Sequence, residues 1–371
     1  MSEEIPTGII MDVGSGTTKA GIAGDLAPSV YLPTLTGTTK TSIALAKEHY
    51  IGKEVLEKKG VLDITQPVQK GKITDWDSIE TLWEHCLTER LKVDPADHPI
   101  VYGFCPSEKK VAKERTVLIY FESLGVPGFF CAMNPLLSIY GAGRTNGLVV
   151  DSGEEMTSVI SIIDGNKIEG ANAVYEMGGS DVTKYMQRLF KEKQIIVDIE
   201  EAQKVKEDLC YSAMDYTIEY ENFKRGETAG QFYQLPDGML IEVAEEMVKA
   251  PELIFNQKLV GKYEPGLQEI MNACVQGVEG DHVKRELLQN VVLSGGNTKI
   301  RDFVYRVNKE LISSCGTSLK CRVKILAGDN REFLSWSGGS VISTLKSFRS
   351  MWITRGDYNE FGPSIVHRKC L

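Results

Sequence analysis

The feature that most constrains this chain is one plan used twice: an apolar strand ending in an aspartate, a serine–glycine turn, and a second apolar strand. The first copy runs from Ile9 through Met11 to Asp12 and turns at Gly14, Ser15 and Gly16. It returns through Thr17, Thr18 and Lys19 into the apolar run Ala20 to Ala23. Apolar runs joined through a glycine turn read as a β-hairpin. With no Cβ atoms in the way, the N–H groups of such a turn converge into an anion-binding concavity. Ser15, Thr17 and Thr18 add hydroxyl donors, and Lys19 adds the positive charge that phosphate oxygens attract. Asp12 would repel a bare phosphate, so its place is beside a divalent cation that the phosphates also bind. Taken alone, the stretch reads equally as a tight turn with an exposed lysine.

The second copy starts at Gly147, reaches Asp151 through Leu148, Val149 and Val150, and turns at Ser152 and Gly153. It then continues through Thr157 and an apolar strand to an Asp164–Gly165 turn. Two hairpins of this kind point to a duplicated domain that holds a polyphosphate from both sides. A third element, Asn290-Val-Val-Leu-Ser-Gly-Gly-Asn297, is a strand entering a turn where Gly295 and Gly296 would let a flat ring or a ribose approach the backbone. Elsewhere strands and helices alternate. The spacing of Trp76, Ile79, Leu82, Trp83, Cys86, Leu87 and Leu91 predicts a helix, with Thr74 or Asp75 as N-cap. Ile100 to Phe104 reads as a buried strand. Ser107 to Leu124 predicts a helix with Val117, Leu118, Phe121 and Leu124 on one face and Gly125 closing it. Asp181 to Lys193 and Glu200 to Met214 predict two more. The alternation implies an α/β fold, mixed sheets covered by helices.

At 371 residues and 42% hydrophobic content the chain can build a large core, and two domains. Its 51 acidic residues outnumber 42 basic ones for a net charge of −9, with no sustained basic run, which argues against direct nucleic-acid binding. Eight cysteines are scattered without a C-x-x-C pair, so a reduced intracellular compartment is expected and a zinc site is not. The acidic start Met-Ser-Glu-Glu-Ile-Pro lacks an apolar leader, and no run approaches the length of a membrane span. Five dispersed histidines suggest no catalytic role.

Over essentially its whole length the chain resembles the actin family. The matching pieces include Asp12-Val-Gly-Ser-Gly16, Ile73-Thr-Asp-Trp-Asp77, Asp97-His-Pro99, Leu137-Ser-Ile-Tyr140 and Gly143-Arg-Thr-Asn-Gly147. Others are Val150-Asp-Ser-Gly153, Asp208-Leu-Cys-Tyr211, Leu293-Ser-Gly-Gly296, Trp336-Ser-Gly-Gly-Ser340, Met351-Trp-Ile-Thr354 and the tail Gly362 to Cys370. The resemblance implies an actin-like ATPase fold, two similar lobes with a nucleotide cleft between them. The outer lobe would be 1–141 plus 334–371, with 34–66 as its small subdomain; the inner would be 142–333, with 178–262 as its own. It implies ATP or ADP with Mg2+ or Ca2+ as cofactors. Asp12 and Asp151 match the aspartates that hold the cation, mainly through its waters. Gly14, Ser15, Gly16, Lys19 and Gly153 match the phosphate cradle, to which Thr17 and Glu154 are neighbours. Lys206 and Glu207 fall where the family contacts base and ribose, although such a pair is also the ordinary content of a solvated helix face. Gly179, Asp181, Gly295 and Gly296 fall around the adenosine.

Departures from the family pattern are as informative. Asn134 stands where actins have the glutamine that aligns the attacking water, and Ser158 where they have a histidine. A nucleophile displaced by about 1 Å loses roughly a hundredfold in rate, so slow hydrolysis is expected, a weak ATP hydrolase at most. Glu154 and Glu155 replace Asp and Gly in the second turn. A like charge 4 Å from the γ-phosphate costs about 4 kcal/mol at an effective dielectric near 20, so Glu155 is expected to point outward. Glu332 and Gln203 replace a lysine and an arginine near the base. The loop between Gly37 and Gly52, and the segment Val260 to Gly266, depart from the family's filament contacts, though loops also vary harmlessly.

Tyr140, Gly143, Thr145 and Met351 keep the small and apolar character of the groove in which actin-binding proteins dock an amphipathic helix; ordinary core packing accounts for them equally. The expected function is an ATP-binding structural component of cytoskeletal filaments, in cytoplasm and cytoskeleton with the nucleus open, partnered by itself or other actin-family subunits. The alternative is a non-polymerising actin-related subunit of a dynein-associated or chromatin-associated complex. A small-molecule kinase, which would share the clamp, lacks an unassigned aspartate for a catalytic base.

Overall fold

The computed structural model describes residues 7–40, 47–315 and 323–370. Its contacts divide the chain into two compact units, Met1–Thr145 with Phe333–Leu371, and Asn146–Glu332.

The first unit is built on a six-stranded mixed sheet. Its order is Ile353–Thr354, Gly128–Met133, Ile100–Phe104, Ile9–Val13, Thr17–Ile22 and Val30–Pro33. The last three form an antiparallel meander, and Ile9–Val13, Ile100–Phe104 and Gly128–Met133 run parallel. Every residue of those three parallel strands is buried, which is why they read as continuous apolar runs rather than alternating ones. Helix Leu334–Thr344 lies on this sheet and packs closely on helix Asn134–Gly141. The approach depends on glycine: a Cβ on Gly338 would run into the Leu137 carbonyl, and one on Gly339 would sit 2.8 Å from Ile10. A three-stranded satellite sheet pairs Thr36–Thr39 with both His49–Ile51 and Leu62–Thr65. Within the loop from Gly37 to Gly52, residues 41–46 lie outside the described residues.

The second unit repeats the plan. Its five-stranded sheet runs Asn166–Tyr175, Thr157–Ile163, Gly147–Ser152, Val291–Ser294, Ile325–Leu326. Again an antiparallel meander leads into parallel neighbours. One large apolar cluster, with Phe190, Phe255, Phe303 and Met271 among its buried members, fills this unit. A two-stranded ribbon, Gln231–Gln234 with Leu240–Val243, completes it. The topology is one mixed α/β plan used twice, and the recurrence of the Asp-ended hairpin in sequence is its visible trace.

Local structure corrects several sequence expectations. The helix expected over Ser107 to Leu124 begins at Lys110 and passes at Ile119 into a wider π turn that ends at Ser123. Leu118 is 41% exposed rather than on the packed face, which is formed by Val117, Tyr120 and Phe121 at ordinary i, i+3, i+4 spacing. Gly125, at φ 70°, closes it as expected. The segment from Trp76 to Leu91 divides in the same way, α to Glu84 and π from His85, with Asp75 as the N-cap that accepts from the Ser78 N–H. The helix expected to reach Met214 stops at Leu209, since Cys210 turns extended and Tyr211 forms a bridge with Arg301.

Candidate functional site

In the first unit, the hairpin register sets Asp12 opposite Lys19 and beside Gly103 of the next strand. Asp12 is 5% exposed. Its Oδ2 lies 3.4 Å from Lys19 Nζ, and its Oδ1 accepts from Asn134 Nδ2 at 3.4 Å. Asn134 opens its helix, and its Oδ1 in turn accepts from Ser335 Oγ at 3.2 Å. The amide therefore presents N–H toward the carboxylate. A Cβ on Gly103 would collide with the Asn134 carbonyl oxygen, so the glycine is what lets this side chain lie across the strand.

The turn itself is braced from outside. Gly14 N–H donates to Thr17 O at 3.0 Å, and Thr34 N–H donates to Gly16 O at 3.0 Å. Gln66 Nε2 donates to Ser15 O at 2.9 Å, while Ser15 Oγ accepts from Gly71 N–H at 3.2 Å. Thr18 corrects the sequence reading. Fully buried, its hydroxyl pairs with Thr34 Oγ1 at 2.9 Å and faces away from any ligand, because strand alternation puts it opposite Lys19.

In the second unit, Asp151 pairs with Ser158 and Ser152 with Thr157. The buried hydroxyls of Ser152 and Thr157 meet at 2.8 Å, and Thr157 donates onward to Met177 O at 2.7 Å. The turn closes through Gly153 N–H to Met156 O at 2.9 Å. It then receives the N-terminus of helix Gly179–Glu192, whose Gly179 N–H donates to Gly153 O and Ser180 N–H to Glu154 O. Asp181 Oδ2 caps that helix by accepting from Gly178 N–H at 3.1 Å, so one of its oxygens is committed locally. Gly295, at φ 89°, must be glycine: a Cβ there would strike the Ser152 carbonyl and sit 2.9 Å from Asp151 Oδ1.

Lys206 and Glu207 part company. Lys206 is 6% exposed and donates to Gly179 O at 3.2 Å, whereas Glu207 is exposed and accepts from Gln203 Nε2 at 2.8 Å. The solvated-face reading holds for one and fails for the other. The position that a Cβ on Gly179 would take lies 3.3 Å from Glu154 Oε2 and 3.5 Å from both Asn297 Oδ1 and Lys206 Nζ. Asn297 closes the third element, where the sequence assigns it no role. Its Nδ2 donates to Ser152 Oγ at 2.9 Å, while its buried Oδ1 has no partner among the described residues. Burial pushes the Glu154 carboxyl above its ordinary value, against the opposing pull of Lys206. Gly296 faces open space. Glu332 is held by Lys299 at 2.6 Å.

In the second unit Glu154, the buried Lys206 ammonium and the orphaned Asn297 amide oxygen thus gather around Gly179, a mixed set of charged and polar groups. Among the described residues no three His, Cys, Asp or Glu side chains gather into a metal centre. The neighbours missed from sequence, Ser335, Gln66 and Asn297, act only through contacts distant along the chain.

A cavity of about 660 Å³ also opens in the first unit. Phe130, Leu136, Tyr140, Thr145, Ile342 and Met351 line it, and Gly143 lies at its wall. Burial raises the Tyr140 hydroxyl above its ordinary pKa. Among the described residues no helix is long and apolar enough to cross a membrane. A family model described as Actin matches residues 3–204 and 199–371 of the chain.

Proposed function

The chain belongs to the actin family, and from that premise we propose that it binds ATP or ADP with Mg2+ or Ca2+ and serves as a structural component of cytoskeletal filaments, with slow hydrolysis. The observation that carries this reading is the pair of Asp-ended hairpins, Asp12 opposite Lys19 and Asp151 opposite Ser158, set at equivalent places in two sheets of one topology. On this reading Asp12 and Asp151 would be the residues that hold the cation. Gly14, Ser15, Gly16, Thr17, Lys19, Gly153 and Glu154 surround the phosphates, and Gly179, Asp181, Lys206, Glu207, Gly295 and Gly296 the nucleoside. A bound divalent cation supplies charge neutralisation at the phosphate oxygens. The family resemblance supports lobes of 1–141 with 334–371, and 142–333, with smaller subdomains at 34–66 and 178–262, where the chain's own contacts divide it at 145/146 and 332/333.

Slow turnover follows from Asn134 and Ser158. Asn134 is shorter than the family's glutamine, and Ser335 holds its carbonyl, which leaves N–H groups where an acceptor would be needed to orient water. Ser158 is buried and has no basic nitrogen. The apolar cavity beside Tyr140 and Met351 receives an amphipathic helix from actin-binding proteins, and the protein resides in cytoplasm and cytoskeleton.

The departures in sequence between Gly37 and Gly52 and at Val260 to Gly266 favour one other reading, a non-polymerising subunit of a dynein-associated or chromatin-associated complex in which nucleotide is structural. One preparation tests both. Bound nucleotide is quantified after purification, and the same protein is sedimented with Mg-ATP. Nucleotide together with pelleting above a critical concentration supports the filament. Nucleotide without pelleting supports the subunit, and a nucleotide-free chain overturns the site.

A further inference from the structure

We infer that Cys131 and Cys370 form a redox-modification site, at which a peroxide-class oxidant closes a disulfide that ties the C-terminal tail to the central sheet of the first unit. Cys131 lies on the fully buried strand Gly128–Met133. Its N–H donates to Cys370 Sγ at 3.2 Å, which sets the Cys370 sulfur against the Cys131 backbone. Helix Val366–Lys369 brings Cys370 there by packing on that strand. The same tail is fixed by Lys369 Nζ, which donates to Trp352 O and Asp357 Oδ2, each at 2.8 Å. Side chains alternate along a strand, and Phe130 and Ala132 line the apolar cavity, so Cys131 faces the opposite side, toward the tail.

Exposure assigns the order of events. Cys370 is half-buried and Cys131 is buried, so the oxidant reaches Cys370 first. Oxygen transfer from a hydroperoxide converts the Cys370 thiol to a sulfenic acid and releases the alcohol, or water from hydrogen peroxide. The Cys131 sulfur then attacks the Cys370 sulfur. The S–O bond breaks, and the departing hydroxyl takes the Cys131 proton as water. Burial raises the Cys131 thiol well above its ordinary pKa, which leaves it unreactive toward free peroxide and agrees with Cys370 being oxidised first. Cys86, Cys210, Cys274 and Cys315 are buried elsewhere, and Cys105 contacts Ser107 Oγ at 3.2 Å.

The test uses the full-length reduced protein, treated with hydrogen peroxide, alkylated, and digested with trypsin without reductant. The expected product is the peptide spanning 116–144 carrying Cys370–Leu371 through a disulfide, two hydrogens lighter than the separate pieces and lost on reduction. Cys131→Val and Cys370→Ser should each abolish it. In Cys131→Val, dimedone should trap a sulfenic acid on Cys370, and the conservative Cys370→Ser at the chain end keeps the test readable if the core variant misfolds. The inference is overturned if peroxide-treated protein retains a free Cys131 while Cys370 goes on to sulfinic acid, or if Cys370 links instead to a second chain or to another cysteine.

Discussion

The two hairpins share a register and differ in charge, and the difference shows how a duplicated scaffold divides its work. In the first, the residue facing the aspartate is Lys19, so the turn carries its own counter-ion at 3.4 Å. In the second it is Ser158, and the turn adds Glu154 and Glu155. Its balancing cation is Lys206, from a helix far along the chain, buried beside Gly179. The threonine one step further on differs too: Thr18 shares one hydroxyl contact, with Thr34, whereas Thr157 bridges Ser152 and Met177. The first turn is thus electrostatically self-contained, and the second depends on tertiary neighbours.

Breaking the self-contained turn should have the largest effect. Lys19→Met leaves Asp12 buried without its cation and is expected to cost roughly 3 kcal/mol, read from the urea midpoint. Ser158→Ala, at the equivalent place, should change that midpoint little. Asn134→Gln restores the longer amide and should raise phosphate release by up to roughly a hundredfold, measured in single turnover with Mg-ATP; an unchanged rate would show that Asn134 does not limit hydrolysis.

The threonines sharpen the contrast next. Thr157→Val removes a hydroxyl with two buried partners and should destabilise by about 2 kcal/mol, against about 1 kcal/mol for Thr18→Val. Equal losses would deny that the second turn leans more on its surroundings. The smallest effect concerns pH. Glu154 is held above its ordinary value of 4.5 by burial, so the folded state binds its proton more tightly than the unfolded chain. Its favourable contribution is complete below that ordinary value and is lost as pH rises through the folded one. Glu154→Gln should therefore flatten the fall in urea midpoint across that window, and a fall that persists in the variant would place its cause elsewhere.

Much of the fold was legible because its signals are local. The buried runs Ile9–Val13 and Ile100–Phe104, the caps at Asp75 and Gly125, and the repeated hairpin can all be read within a few residues. The π turns at His85 and Ile119 could not be, since apolar spacing does not distinguish an i→i+4 from an i→i+5 ladder near a helix end. In the candidate site, Asp12, Lys19 and Asp151 announce themselves by motif. Thr18 misled, because hydroxyl chemistry is written in the residue while its direction is written in the strand. Ser335 and Asn297 carry no local mark of their roles.

By itself the sequence determined the family, the duplicated α/β plan and which residue types the two turns present, because glycine, aspartate and apolar periodicity act over short stretches of chain. Tertiary structure alone decided how those groups are spent: that Ser335 turns the Asn134 amide, that Lys206 is buried while Glu207 is not, and that Cys131 meets Cys370. Each of these is a contact between residues remote in sequence, and only packing fixes which polar group finds which partner once water is excluded.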